Sequence, residues 1–80
     1  MLAPTRLMLS AMDTPDRASF AALRERAYVL ADTGRYARWE EVGAVMEYEG
    51  YALAVRRLRA DPILGRMLDA RCAQARSRNA

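Results

Sequence analysis

Through its middle the chain runs Gly34-Arg35-Tyr36-Ala37-Arg38-Trp39-Glu40-Glu41-Val42-Gly43-Ala44-Val45-Met46-Glu47-Tyr48-Glu49-Gly50-Tyr51. Trp39, Val42 and Met46 recur at i, i+3 and i+7, the spacing of one helix face. A glycine stands at each end. The stretch predicts a helix over about 36–48, with Gly50 as its C′ residue in the left-handed conformation. Tyr51 then falls at C″ and packs back on Met46, the contact of a Schellman ending. Gly43 lies inside this helix, where glycine costs about 1 kcal/mol relative to alanine. Close approach of a second helix is the expected compensation. Trp39 is expected to anchor the core rather than to stack on a ligand.

Working outward, similar signals recur. Thr14-Pro15-Asp16 reads as an N-cap, a proline at N1 and an acid in the first turn. Phe20, Leu23, Ala27 and Leu30 then share one face, and Gly34 closes a first helix over about 15–32. Tyr51, Val55 and Leu58 mark a short helix over about 51–60. Asp61-Pro62 repeats the cap-and-proline start. Leu64, Leu68, Cys72 and Ala75 line one face of a last helix over about 62–76, with Met67 alongside. Composition agrees: 16 Ala, 9 Leu and 5 Met stand against 8 β-branched residues, which favours helix over strand.

The links near Gly50 and Asp61 are only one or two residues long and force sharp changes of direction. The expected fold is therefore all-α, a single small orthogonal bundle of about four helices. It is expected to span 14–77, after a poorly ordered leader over 1–13 and before a frayed end over 78–80. Met12 directly precedes the first helix signal and is an alternative natural start to Met1. Dimerisation is a common remedy where so small a core is only just sufficient.

Several function classes drop out. Eighty residues allow one domain. The chain has no histidine and one cysteine, which excludes a zinc finger and an internal disulfide framework. Neither a glycine-rich phosphate loop nor a calcium loop occurs. No apolar run exceeds the length of Tyr51–Val55, far short of the roughly 18 residues of a membrane span. Leu7-Met8-Leu9 is too short a core for a signal peptide. A soluble, cytoplasmic protein is expected, since a lone thiol suits a reducing compartment. No metal, cofactor or membrane is expected among its partners.

Catalysis is not expected either. Cys72 has no histidine to activate it and lies on the apolar face of the last helix, so it reads as a small buried hydrophobe. Glu40 and Glu41 are helix neighbours and do not face each other as an acid/base pair. The sequence offers no catalytic residue.

Charge is unevenly placed within a formal net +3. Residues 1–50 hold 6 Arg and 8 acids, and residues 51–80 hold 7 Arg and 2 acids. Glu40, Glu41, Glu47 and Glu49 form a candidate acidic partner patch. Arg56, Arg57, Arg59, Arg66, Arg71 and Arg76 are candidate contacts to a partner protein or to nucleic acid. All 13 basic residues are arginine, as a GC-rich coding sequence produces. The two patches are complementary, so two copies can dock acid to base.

This supports a small non-enzymatic interaction or regulatory module that self-associates. The alternative is a nucleic-acid-binding protein of helix-turn-helix proportions over Trp39–Arg59. Two features oppose that alternative. The helix that would cross the phosphates carries four glutamates. The would-be recognition helix opens on Tyr51-Ala52-Leu53-Ala54, which offers little to a base edge. Tyr28 and Tyr48 fall off the main apolar stripes and form a binding candidate if they share a surface with Met46.

The pattern Gly34-Arg35-Tyr36, Trp39, Val42, then Gly50-Tyr51, Asp61-Pro62-Ile63-Leu64 and Leu68-Asp69-Ala70-Arg71-Cys72 resembles small, uncharacterised all-helical proteins of GC-rich bacteria. It covers about half the chain. The resemblance implies a bacterial origin and an all-α fold. It carries no activity, and so no site residue.

Overall fold

Ser19 opens the described chain and stops a helix from running through it. The computed structural model describes residues 19–79. The expected leader, the alternative start at Met12 and the Thr14-Pro15 signal lie outside the described residues. Ser19 is extended (φ −72°, ψ 147°), and its hydroxyl accepts the Ala22 N–H at 3.1 Å. The first helix among the described residues, α1, therefore spans Phe20–Ala31. The expectation that this helix runs unbroken from residue 15 is corrected by that cap.

Three further helices follow among the described residues: α2 over Trp39–Tyr48, α3 over Ala54–Arg59 and α4 over Pro62–Asn79. No strand occurs among the described residues. The four pack as the small orthogonal bundle that the sequence predicts. α1 lies against α2 and α4, and α3 fills the corner between α2 and α4.

The glycine at 50 ends α2 as a full Schellman motif. Its φ is 101°. The Tyr51 N–H donates to Met46 O at 2.9 Å and the Gly50 N–H to Glu47 O at 3.1 Å, the 6→1 and 5→2 bonds of that ending. α1 ends differently. The Thr33 hydroxyl donates to Leu30 O at 2.6 Å and accepts the Arg35 N–H at 3.2 Å. The backbone closes this end as well, with the Thr33 N–H donating to Leu30 O at 3.1 Å and the Gly34 N–H to Ala31 O at 3.4 Å. At the start of α4, the Asp61 carboxylate accepts the Leu64 N–H at 3.1 Å, with Pro62 at N1 as expected.

Helix lengths depart from expectation in three further places. α2 begins at Trp39, because Arg38 is still extended. α3 begins at Ala54, because Leu53 takes the left-handed conformation at φ 59°. That conformation is costly for leucine. α4 continues three residues past 76, where Asn79 Nδ2 donates to Thr33 O at 3.1 Å and ties the helix end to the α1–α2 link.

The core joins all four helices. Leu23, Ala27, Val42, Met46, Leu58, Leu68 and Cys72 are fully buried, with Leu30 and Leu64 nearly so. Gly43 is where α2 and α3 touch. A Cβ there would sit 3.0 Å from Val55 Cγ2 and 3.2 Å from Val55 Cα, so close helix approach is indeed the reason for glycine. Gly65 does the same for Trp39, whose ring lies 3.3 Å from a Cβ at that position. Trp39 is half-buried on the core's edge. Phe20, expected in the core, is 44% exposed.

Candidate interaction surface

The acidic residues of the α2 segment have work inside the fold. Glu41, at N3 of α2, accepts the Ala37 N–H at 3.0 Å. Glu40 pairs with Arg38 at 3.1 Å, and the guanidinium holds its carboxyl below the usual range. Glu47 reaches over the turn and accepts the Val55 N–H at 3.0 Å, capping α3 from outside. Glu49 forms a two-bond fork with Arg26 of α1, at 2.6 and 2.8 Å. The first pair of glutamates stands at one end of α2 and the second at the other.

Other carboxylates behave alike. Asp69, on α4, accepts the Trp39 N–H at 2.8 Å. It supplies the side-chain cap that Arg38 does not give to α2. Asp32 forms a fork with Arg71 at 2.9 and 3.0 Å, and this hydrogen-bonded partner pulls its carboxyl down. Arg71 also stacks on Tyr28, 4.6 Å from the ring centroid. Of eight carboxylates among the described residues, seven have an intramolecular partner, and Glu25 has none.

The arginines show the reverse. Of eleven among the described residues, only Arg26, Arg38 and Arg71 make ion pairs or side-chain hydrogen bonds. Five of the six sequence-predicted contacts, Arg56, Arg57, Arg59, Arg66 and Arg76, are left unpaired; the sixth, Arg71, is bound into the α1–α4 seam. Arg56, Arg59, Arg66 and Arg76 are exposed and Arg57 half-buried. Arg66, Arg71 and Arg76 follow one another at five-residue steps. Each step turns about 140° around a helix of 3.6 residues per turn, so these three fan around α4 instead of forming one stripe.

The helix-turn-helix proportions change in three dimensions. α3 has six residues, about 9 Å of helix. Its first turn already holds the Glu47 carboxylate, which puts negative charge where a phosphate would approach. The tyrosine candidate also dissolves. Met46 is fully buried, Tyr48 is 94% exposed, and Tyr28 is covered by Arg71.

Cys72 is fully buried, and burial pushes its thiol pKa up, so the thiolate needed for reactivity is disfavoured. No group of three potential metal ligands occurs among the described residues. None of their helices is long and apolar enough to cross a membrane.

Sequence reasoning missed one surface. The outer side of α1 carries Ala21, Arg24, Glu25 and exposed Val29 between two shallow grooves. Its signal was present in the sequence as the helical phase opposite Leu23, Ala27 and Leu30. Against this geometry stands one comparative finding: no protein-family model, curated protein or solved structure matches the chain.

Proposed function

We propose that this chain is a small non-enzymatic protein-interaction module that self-associates and offers unpaired arginines to an acidic partner surface. One observation carries the reading. Seven of eight described carboxylates have an intramolecular partner, whereas eight of eleven described arginines are left without an ion pair or side-chain hydrogen bond. Guanidinium groups that serve no intramolecular carboxylate are available as forked donors to another molecule's acids. A cytoplasmic setting suits the single buried thiol.

The acid-to-base docking of Glu40, Glu41, Glu47 and Glu49 onto Arg56–Arg76 has less support than the sequence suggested. Each of those glutamates already holds a partner. The acids that the arginines meet belong to a different surface.

A second reading draws on the same arginines: nucleic-acid binding through phosphate contacts. Two experiments separate the readings. Cross-linked affinity purification from the cells that make the protein should recover a protein partner with the wild type and lose it with R56E/R57E. A wild type that stays monomeric and recovers no protein overturns the first reading. Fluorescence anisotropy with mixed-sequence labelled DNA and RNA at about 50 and 200 mM salt tests the second. Binding that weakens by orders of magnitude over that range, and is lost in R56E/R57E, puts nucleic acid first.

A further inference from the structure

Ala21, Glu25 and Val29 recur every four residues and form a ridge along the outer side of α1. A groove runs on each side of that ridge. One, of about 360 Å³, is walled by Ala22, Arg26 and Tyr51. The other, of about 410 Å³, is walled by Arg24, Tyr28 and Arg71. An i±4 ridge between two grooves is the surface that a second helix packs on. The rims are braced, since Arg26 is forked on Glu49 and Arg71 on Asp32.

Electrostatics point to the occupant. Both rim pairs are internally neutralised, which leaves Arg24 and Glu25 as the free charges of this face. Glu25 is the one described carboxylate without a partner. The other seven unpaired arginines lie in the α1–α2 link and on α3 and α4. This face of α1 is thus locally neutral on a basic molecule. Two copies can meet here without opposing like charges.

The face is also complementary to itself. Let two α1 helices lie antiparallel about a two-fold axis between positions 24 and 25. Arg24 then faces Glu25 of the second copy, and Glu25 faces its Arg24. Ala21 faces the second copy's Tyr28, small against large. Both contacts occur twice by symmetry. We infer that the outer face of α1 is a self-association surface, and that its occupant is α1 of a second copy in antiparallel register.

This inference rests on the proposed self-associating module and names its surface. α1 has 12 residues, about 18 Å of helix. Such a contact falls below the roughly 800 Å² per partner of a standard interface, so association belongs in the micromolar range or weaker.

The test is sedimentation equilibrium of the full chain from about 5 to 500 μM, with wild type, R24E and E25R. Each single variant puts like charges together twice. Each should weaken self-association about 10-fold or more. An equimolar mixture of R24E and E25R should associate again, because both carboxylates of the R24E copy then face guanidinium groups of the E25R copy across the axis. Neither side chain has a partner among the described residues, so thermal midpoints by circular dichroism should match the wild type. A wild type that dimerises indifferently to both substitutions, or singles that the mixture does not rescue, overturns this surface and leaves the self-associating module standing. A wild type monomeric across the whole range overturns both this surface and the self-association of the proposed module.

Discussion

The glutamates of the α2 segment and the arginines of α3 and α4 are near neighbours in sequence, yet the fold treats them in opposite ways. Glu41 closes the start of α2, Glu47 closes the start of α3, and Glu49 ties α2 to Arg26 of α1. Arg56, Arg57 and Arg59, a few residues on, close nothing. The difference follows from what each group can do. A helix start leaves N–H donors without partners, and a carboxylate only accepts. A guanidinium only donates, so its structural place would be at helix ends. Those ends are already served here, by Gly50 in α2 and by the Thr33 hydroxyl in α1. Acids therefore become part of the fold, and the arginines other than Arg26, Arg38 and Arg71 remain on its surface.

Removing a partnered acid should cost stability, and removing an unpaired arginine should not. The largest effect is expected at Asp69, whose carboxylate serves the half-buried start of α2 from thirty residues away. Asp69→Ala should lower unfolding stability by about 1–2 kcal/mol, measured by urea denaturation. Asp69→Asn keeps an acceptor and should recover part of that loss. Glu47→Ala acts on the more exposed Val55 N–H and should cost about 0.5–1 kcal/mol. Equal stability of both alanine variants and the wild type would break the contrast.

Acid titration probes the ion-paired members. Asp32 and Glu40 are each held below the ordinary carboxylate range, first by hydrogen bonds from Arg71 and Arg38 respectively. Their folded pKa values lie below the unfolded ones. Their stabilisation is therefore fully present above the unfolded range of about 4 and is lost as pH falls through the folded values. The thermal midpoint should drop below about pH 4, and the drop should be shallower in R38Q/R71Q. Both pairs are well exposed, so the difference is modest, and added salt should reduce it. Parallel acid limbs in the two proteins would show that these pairs contribute nothing.

What could be read from the sequence was local. Asp61-Pro62 caps and starts α4 within three residues. Gly50 and Tyr51 close α2 within five. Leu64, Leu68, Cys72 and Ala75 share a face by helical spacing alone, and all are buried. The unread parts depend on which elements meet. Asp69 looks like one more polar residue of α4 until α2 arrives beside it. Four glutamates within ten residues looked like a patch, and only the bundle shows that they serve four different partners. Leu53 has no sequence signal for its left-handed backbone. It adopts that conformation at the corner that brings Val55 under Gly43.

The smallest expected effect on stability is at Arg56 and Arg57, and it decides most about function. Neither makes an ion pair or side-chain hydrogen bond among the described residues. R56A/R57A should thus change unfolding stability by no more than about 0.5 kcal/mol. That near-silence separates an arginine kept for another molecule from one kept for the fold. If the double alanine variant unfolds as the wild type does but loses its partner, the unpaired guanidinium groups are a recognition surface. If it destabilises as Asp69→Ala does, these arginines belong to the fold as the glutamates do, and the division of labour between the two charges fails.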